Sequence, residues 1–538
     1  MKKLYINGCV FTGNGAFAQA FAVEDGRFCL VGSTEEVLNA KNAEDEVIDL
    51  NGQFVCAGFI DSHMHVLGFG GMMSMCNLME HTTSIDDLKG ALRDFIAAQH
   101  IPAGSWVRGR GWNQDYFTDG HGLPTKADLD AVSAEHPICI TRCCGHSLVV
   151  NSKALEVLHI DGTEPQVEGG HYDIETGLFL DSAMSMVYTR LPMPDRDEIK
   201  RMLLRSCAAL NSYGVTSAHT DDLCTLEGVD WTEVMAAYEE LNAENKLTVR
   251  IYEQSQLTTP KSLQAFLDAG YKTGVGDDMF KVGPLKVLGD GSLGARTAFL
   301  SGEYADAPGE KGLAIFTQQQ FDDLFMLAHT NGMQIAVHAI GDGILDRVLN
   351  AYEKAFAACP RADHRSGVVH VQITRPEQLK KMRDMQLHAY IQSIFLDYDT
   401  NIVEARVGKA LADTSYAFHT MKKLGMHVSN GTDCPVEMPI ALRGIQCAVT
   451  RCTLDGKKGP YLPEEAMSVE EALLSYTAEG AHASFEENVK GRIQNGMLAD
   501  FVVLSDNPFD VAKDKIGAIS VKRTYLGGTC VYEKECAC

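Results

Sequence analysis

Asp61-Ser62-His63-Met64-His65 follows a short apolar run. In extended chain, side chains two apart share a face, so His63 and His65 can offer two imidazoles to one cation. A His-x-His pair taken alone is more often incidental. Four further residues of ligand type give it weight, because each ends another candidate strand: Lys286, His338, His370 and Asp433. Nitrogen and oxygen donors gathered from several strand ends could hold a divalent metal ion, which acidifies a bound water and polarises a carbonyl. Asp433 also precedes Cys434-Pro435, so a turn aspartate is its alternative reading.

The elements that must bring these residues together are short apolar strands at 55–60, 214–218, 247–252, 285–288, 334–337, 367–369, 388–391 and 427–431, separated by amphipathic stretches. Such alternation argues for βα units around a parallel sheet. Eight units predict an α/β fold, a TIM-type (β/α)8 barrel whose chemistry sits at the C-terminal strand ends. Residues 58–485 hold this barrel. The stretch 70–205 is too long for one loop after the first strand and is expected to be an inserted subdomain over the barrel mouth. Residues 1–57 and 486–538 carry alternating apolar positions punctuated by glycine, and the two ends are expected to pair into a small β-sandwich.

The chain has 538 residues, 45% hydrophobic and 22% charged, which excludes a disordered or fibrous protein. With 47 Lys+Arg against 72 Asp+Glu the formal charge is −25, which argues against nucleic acid or an anionic membrane as partner. None of the 16 cysteines stands in a Cys-x-x-Cys spacing, so reduced thiols are expected rather than a disulfide framework. Residues 4–12 are too short and polar for a secretory apolar region, and no apolar run is long enough to span a membrane. The expected location is the cytoplasm.

Several motifs together resemble the amidohydrolase superfamily and, within it, amidohydrolase family 3, the YtcJ-like metal-dependent hydrolases that include N-substituted formamide deformylase. They are Gly58-Phe59-Ile60-Asp61-Ser62-His63-Met64-His65, Gly145-His146-Ser147 with Asn151-Ser152-Lys153-Ala154-Leu155, Lys286 with Asp290-Gly291-Ser292-Leu293-Gly294, His338-Ala339-Ile340-Gly341-Asp342, Thr432-Asp433-Cys434-Pro435, and the closing Gly491-to-Leu504 segment. The resemblance implies that His63, His65, His338, His370 and Asp433 bind one or two Zn²⁺ ions. It also implies that Lys286 occupies the position of a carboxylated, metal-bridging lysine; a neutral or ion-paired lysine beside one metal is the alternative. The implied reaction is hydrolysis of a non-peptide C–N bond, in an N-acyl, N-formyl or cyclic amide, by a zinc-activated hydroxide, with Asp433 as general base and acid. His146 is assigned to substrate contact or transition-state stabilisation. Trp112, His219 and Arg296 are candidate substrate residues, set against a core tryptophan and a packed histidine for the first two. A small-molecule substrate is the expected partner, and a homodimer the assembly kept open.

Three signals compete. Gly289-Asp290-Gly291-Ser292-Leu293-Gly294 fits G-x-G-x-x-G, but no clear amphipathic helix follows it, and Asp290 breaks the nucleophile-elbow pattern around Ser292. A deaminase of the same superfamily would carry an acid three residues after His338, where this chain has Gly341 and then Asp342. A barrel kept as a non-catalytic binding or scaffold protein is the reading from another class, and the full set of ligand-type residues argues against it.

Overall fold

The structure is a computed structural model describing residues 1–534 apart from Asn14, Glu168 and Glu227. Its largest sheet has eight strands: β1 Phe59–Met64, β2 Val215–Thr220, β3 Arg250–Gln256, β4 Phe280–Leu288, β5 Ile335–Ala339, β6 Gly367–His370, β7 His388–Ile391 and β8 Val428–Asn430. They are hydrogen-bonded in chain order from β1 to β8, each pair parallel. This is the expected TIM-type barrel. The β8 end meets β1 through the Thr432 amide, which donates to Asp61 Oδ1 at 3.1 Å, and the Asp433 amide, which donates to the His63 carbonyl at 2.8 Å. Only glycine serves between them at 431, where a Cβ would lie 2.6 Å from the His63 nitrogen.

Two strands differ from expectation. The apolar run 55–60 is divided at Gly58: Phe54–Ala57 joins a terminal sheet and Phe59–Met64 opens the barrel. Hydrophobicity is continuous across the division because both pieces are buried. The third strand runs Arg250–Gln256 rather than 247–252, because a polar row, including Gln254, points into the barrel and masks the alternation.

Both chain ends build the terminal sheets. A six-stranded sheet orders Phe17–Ala18, Cys9–Phe11, Phe54–Ala57, Phe501–Leu504, Val521–Leu526 and Thr529–Glu533, with Phe501 paired to Ala57. A four-stranded sheet comes from the N-terminal end alone, and Tyr5, Phe21, Val55, Phe501 and Tyr525 share one core.

The chain divides into two compact units, Met1–Phe69 with Ile199–Cys538, and Gly70–Glu198. The second unit begins where the expected insertion begins but ends short of residue 205, because helix Arg196–Ser212 lies almost wholly in the first. It has its own six-stranded mixed sheet, with Val107–Trp112 beside Ile138–Arg142, and apolar clusters of its own. Among the described residues no helix is long and apolar enough to cross a membrane.

Candidate metal centre

The C-terminal ends of β1, β4, β5, β6 and β8 present His63, His65, Lys286, His338, His370 and Asp433. One donor atom each from His63, His65 and Asp433 forms a group whose members all lie within 4.8 Å of one another, a spacing that could hold a metal ion. His65 Nε2 is 3.0 Å and His63 Nε2 3.4 Å from Asp433 Oδ1. His63 is buried, whereas the side chain of His65 is 28% exposed, so the group opens towards the barrel mouth.

Neighbouring side chains fix which imidazole nitrogen is bare. The Gln254 amide nitrogen donates to the Ser62 carbonyl, which turns its Oε1 to accept from His63 Nδ1 at 2.8 Å. The Gln392 amide nitrogen likewise donates to the Tyr390 carbonyl, and its Oε1 accepts from His370 Nδ1 at 2.7 Å. Both histidines therefore keep Nε2 as a lone pair, the arrangement in which outer hydrogen bonds orient metal-binding imidazoles. His65 Nδ1 meets Asp221 Oδ1, leaving Nε2 to face Asp433.

His338 donates from Nε2 to the Gly291 carbonyl at 3.1 Å, which leaves Nδ1 bare. That Nδ1 lies 2.9 Å from the bare Nε2 of His370. Two lone pairs held face to face repel each other unless a proton or a cation satisfies them, so the donor set fits a metal ion. Lys286 is buried; its Nζ donates to Asp221 Oδ2 at 2.7 Å and lies 3.3 Å from His63 Nε2.

Electrostatics keep His63 and His370 neutral and Asp433 and Asp221 ionised, and favour a proton on His65. Burial, with Lys286 nearby, pushes His63 down to about 3, and burial with His338 nearby holds His370 well below the usual histidine range, so both are neutral. For His65, burial opposes the charged form but the Asp221 and Asp433 carboxylates outweigh it and raise its pKa well above normal. Burial would raise Asp433 and Asp221, yet the surrounding histidines, joined by Lys286 at Asp221, hold both below the ordinary range. Backbone strain marks the same places: His370 at φ 79° and Asp433 at φ 57° occupy the left-handed region, which residues other than glycine adopt at a cost.

The other sequence candidates fall elsewhere. Trp112 has no exposed surface and packs in the insertion core with Leu88, Leu92 and Ile140; its bulk fills that core rather than lining a pocket. His219 is sealed inside the barrel against Tyr252, with both ring nitrogens unpartnered and burial pushing its pKa down to about 3, so it is a packed histidine. Arg296 follows β4, but Asp306 occupies its guanidinium through Nε and Nη2 at 3.0 and 2.9 Å. His146 lies on the insertion with its side chain 76% exposed and Nδ1 3.1 Å from Asp181. Sequence reasoning missed Asp221, Gln254 and Gln392; the one available signal was Asp221-Asp222 directly after the second strand.

A sequence model of the amidohydrolase family matches residues 46–532. YtcJ of Bacillus subtilis (strain 168), named as an amidohydrolase, is 31% identical over 99% of this chain and 100% of its own length. Protein LONG AFTER FAR-RED 3 of Arabidopsis thaliana is 30% identical, covering 98% and 91%, and N-substituted formamide deformylase of Arthrobacter pascens is 25% identical, covering 96% and 95%. The crystal structure of a metal-dependent hydrolase from Pyrococcus furiosus superposes with a TM-score of 0.78 at 25% identity, over 95% of this chain and all of that one. With the family matched over most of its length, on a barrel whose strand ends carry the histidines and aspartate described above, this chain belongs to the amidohydrolase family of metal-dependent hydrolases acting on carbon–nitrogen bonds.

Proposed function

We propose that this protein hydrolyses the C–N bond of an N-formyl or N-acyl amide, with cyclic amides as the neighbouring substrate class, using one or two Zn²⁺ ions. His63, His65 and Asp433 would hold one ion and His338 and His370 a second, and a carboxylated Lys286 would add anionic oxygen donors. The facing lone pairs of His338 and His370 carry this reading, since a cation satisfies what the fixed tautomers leave open. When bound, the metal supplies an acidified water and polarises the substrate carbonyl. Asp433, held ionised by the histidines beside it, accepts the proton of the attacking water and passes it to the departing amine. Carboxylation of Lys286 would replace a cation-repelling ammonium by anionic oxygens, while the remaining N–H still donates to Asp221. The N-formyl class is supported by the relative named for N-substituted formamides.

Metal analysis followed by a screen of N-formyl, N-acyl and cyclic amides tests the reading. Stoichiometric zinc with turnover in one class is expected; metal-free purified protein, or metal-replete protein inert to all three, would contradict it. Intact mass under gentle conditions is expected to show the added carboxyl group on Lys286, and a bare ammonium in metal-replete protein would exclude it. We place the protein in the cytoplasm, in keeping with described cysteines that are all free thiols.

A further inference from the structure

Arg108 and Arg110 stand two apart on strand Val107–Trp112 of the insertion, so they share one face, and both are exposed. The chain has more acidic than basic residues; Arg142 and Arg190, in the same unit, pair with Asp115 and Glu164. Among the described residues no carboxylate pairs with Arg108 or Arg110. Arg110 is in register with Thr141 on the neighbouring strand, and Thr141 Oγ1 lies 2.8 Å from the Tyr188 hydroxyl. Burial raises the pKa of the Tyr188 phenol and the two arginine charges oppose that rise, while Tyr188 stays 39% exposed. Gly145 stands beside Arg110, with its Cα-substituent position 3.8 Å from Arg110 Nη2.

We propose that this face of the insertion, built from Arg108, Arg110 and the Thr141–Tyr188 hydroxyl pair, binds a small oxyanion of the carboxylate or phosphate class. Guanidinium forks match two oxygens of such a group, and hydroxyl donors beside them complete its hydrogen bonding. An anion arriving at a chain of net charge −25 meets repulsion over most of the surface, which makes an uncompensated pair of arginines the place for it to settle.

The test is calorimetric titration of metal-free, full-length protein with sodium formate and, separately, with inorganic phosphate, against sodium chloride at matched ionic strength. Saturable binding of at least one anion is expected, weakened about tenfold or more by Arg108→Gln with Arg110→Gln. Tyr188→Phe should weaken it without removing charge, His63→Asn should leave it unchanged, and the unfolding midpoint should not move with the paired substitution of exposed side chains. No saturable binding of either anion, undiminished binding in the double variant, or loss of binding in His63→Asn would overturn the proposal.

Discussion

Asp221, Gln254 and Gln392 decide which nitrogen of His65, His63 and His370 faces the centre. Asp221→Asn removes the charge that meets both His65 and Lys286, and loss of such an orienting partner typically costs about 10–100-fold in metal affinity. Chelator competition is expected to show that loss while the folded structure persists; unchanged affinity would leave Asp221 without a positioning role. Replacing a residue that faces the metal directly should be more severe: His63→Asn or Asp433→Asn is expected to abolish turnover, and a wild-type rate in either variant would refute the site. His63 and His65 were legible because their spacing fixes a shared face. Asp221 and the two glutamines were not, since they act through other side chains and their residue types are common on any strand.

The barrel brings the strand ends together, and two of them, at His370 and Asp433, are held in the left-handed backbone region. Gly431→Ala would drive a methyl against the His63 backbone, so a lower unfolding midpoint together with weaker metal binding is expected; an unchanged protein would show that the junction relaxes freely. The opposite end of the barrel carries a different chemistry. His364, His388, His427 and His482 line a cavity of about 290 Å³ with Arg365 and Asp363, and the His427 and His482 rings stack at 3.5 Å. Glu479 accepts from His427 and Lys422, and Glu487 from Arg365. Burial pushes His364 and His482 down to about 4 and His388 well below the usual range. Unfolded, these histidines bind protons near pH 6.5, so their contribution to stability is complete above that pH and is lost as pH falls towards about 4. The unfolding midpoint should decline over this window, and His482→Gln should flatten the decline; parallel curves for the two proteins would refute the assignment. Eight strands were legible from apolar runs, but the divided first strand and the displaced third were not. Continuous burial hid the division at Gly58, and the inward polar row of β3 resembles a loop when read as sequence.

In the first compact unit the terminal sheets and the barrel are tied by a buried ion pair. Arg250 on β3 donates from Nε and Nη2 to Asp500 at 2.7 and 2.9 Å, with both side chains almost fully buried. Removing one partner leaves an uncompensated buried charge, and Asp500→Ala is expected to cost about 3–5 kcal/mol in chemical denaturation. A loss below about 1 kcal/mol would show that water reaches the pair. The pairing of the two chain ends was legible from their matching glycine-punctuated strands, whereas this link between residues 250 apart had no local signature. Counting the metal in the purified protein tests most directly whether His63, His65 and Asp433 hold an ion. One or two equivalents of divalent metal per wild-type chain are expected, with a clear loss of metal in His63→Asn and in Asp433→Asn. Wild-type protein without stoichiometric metal, or variants that keep the full complement, would contradict it.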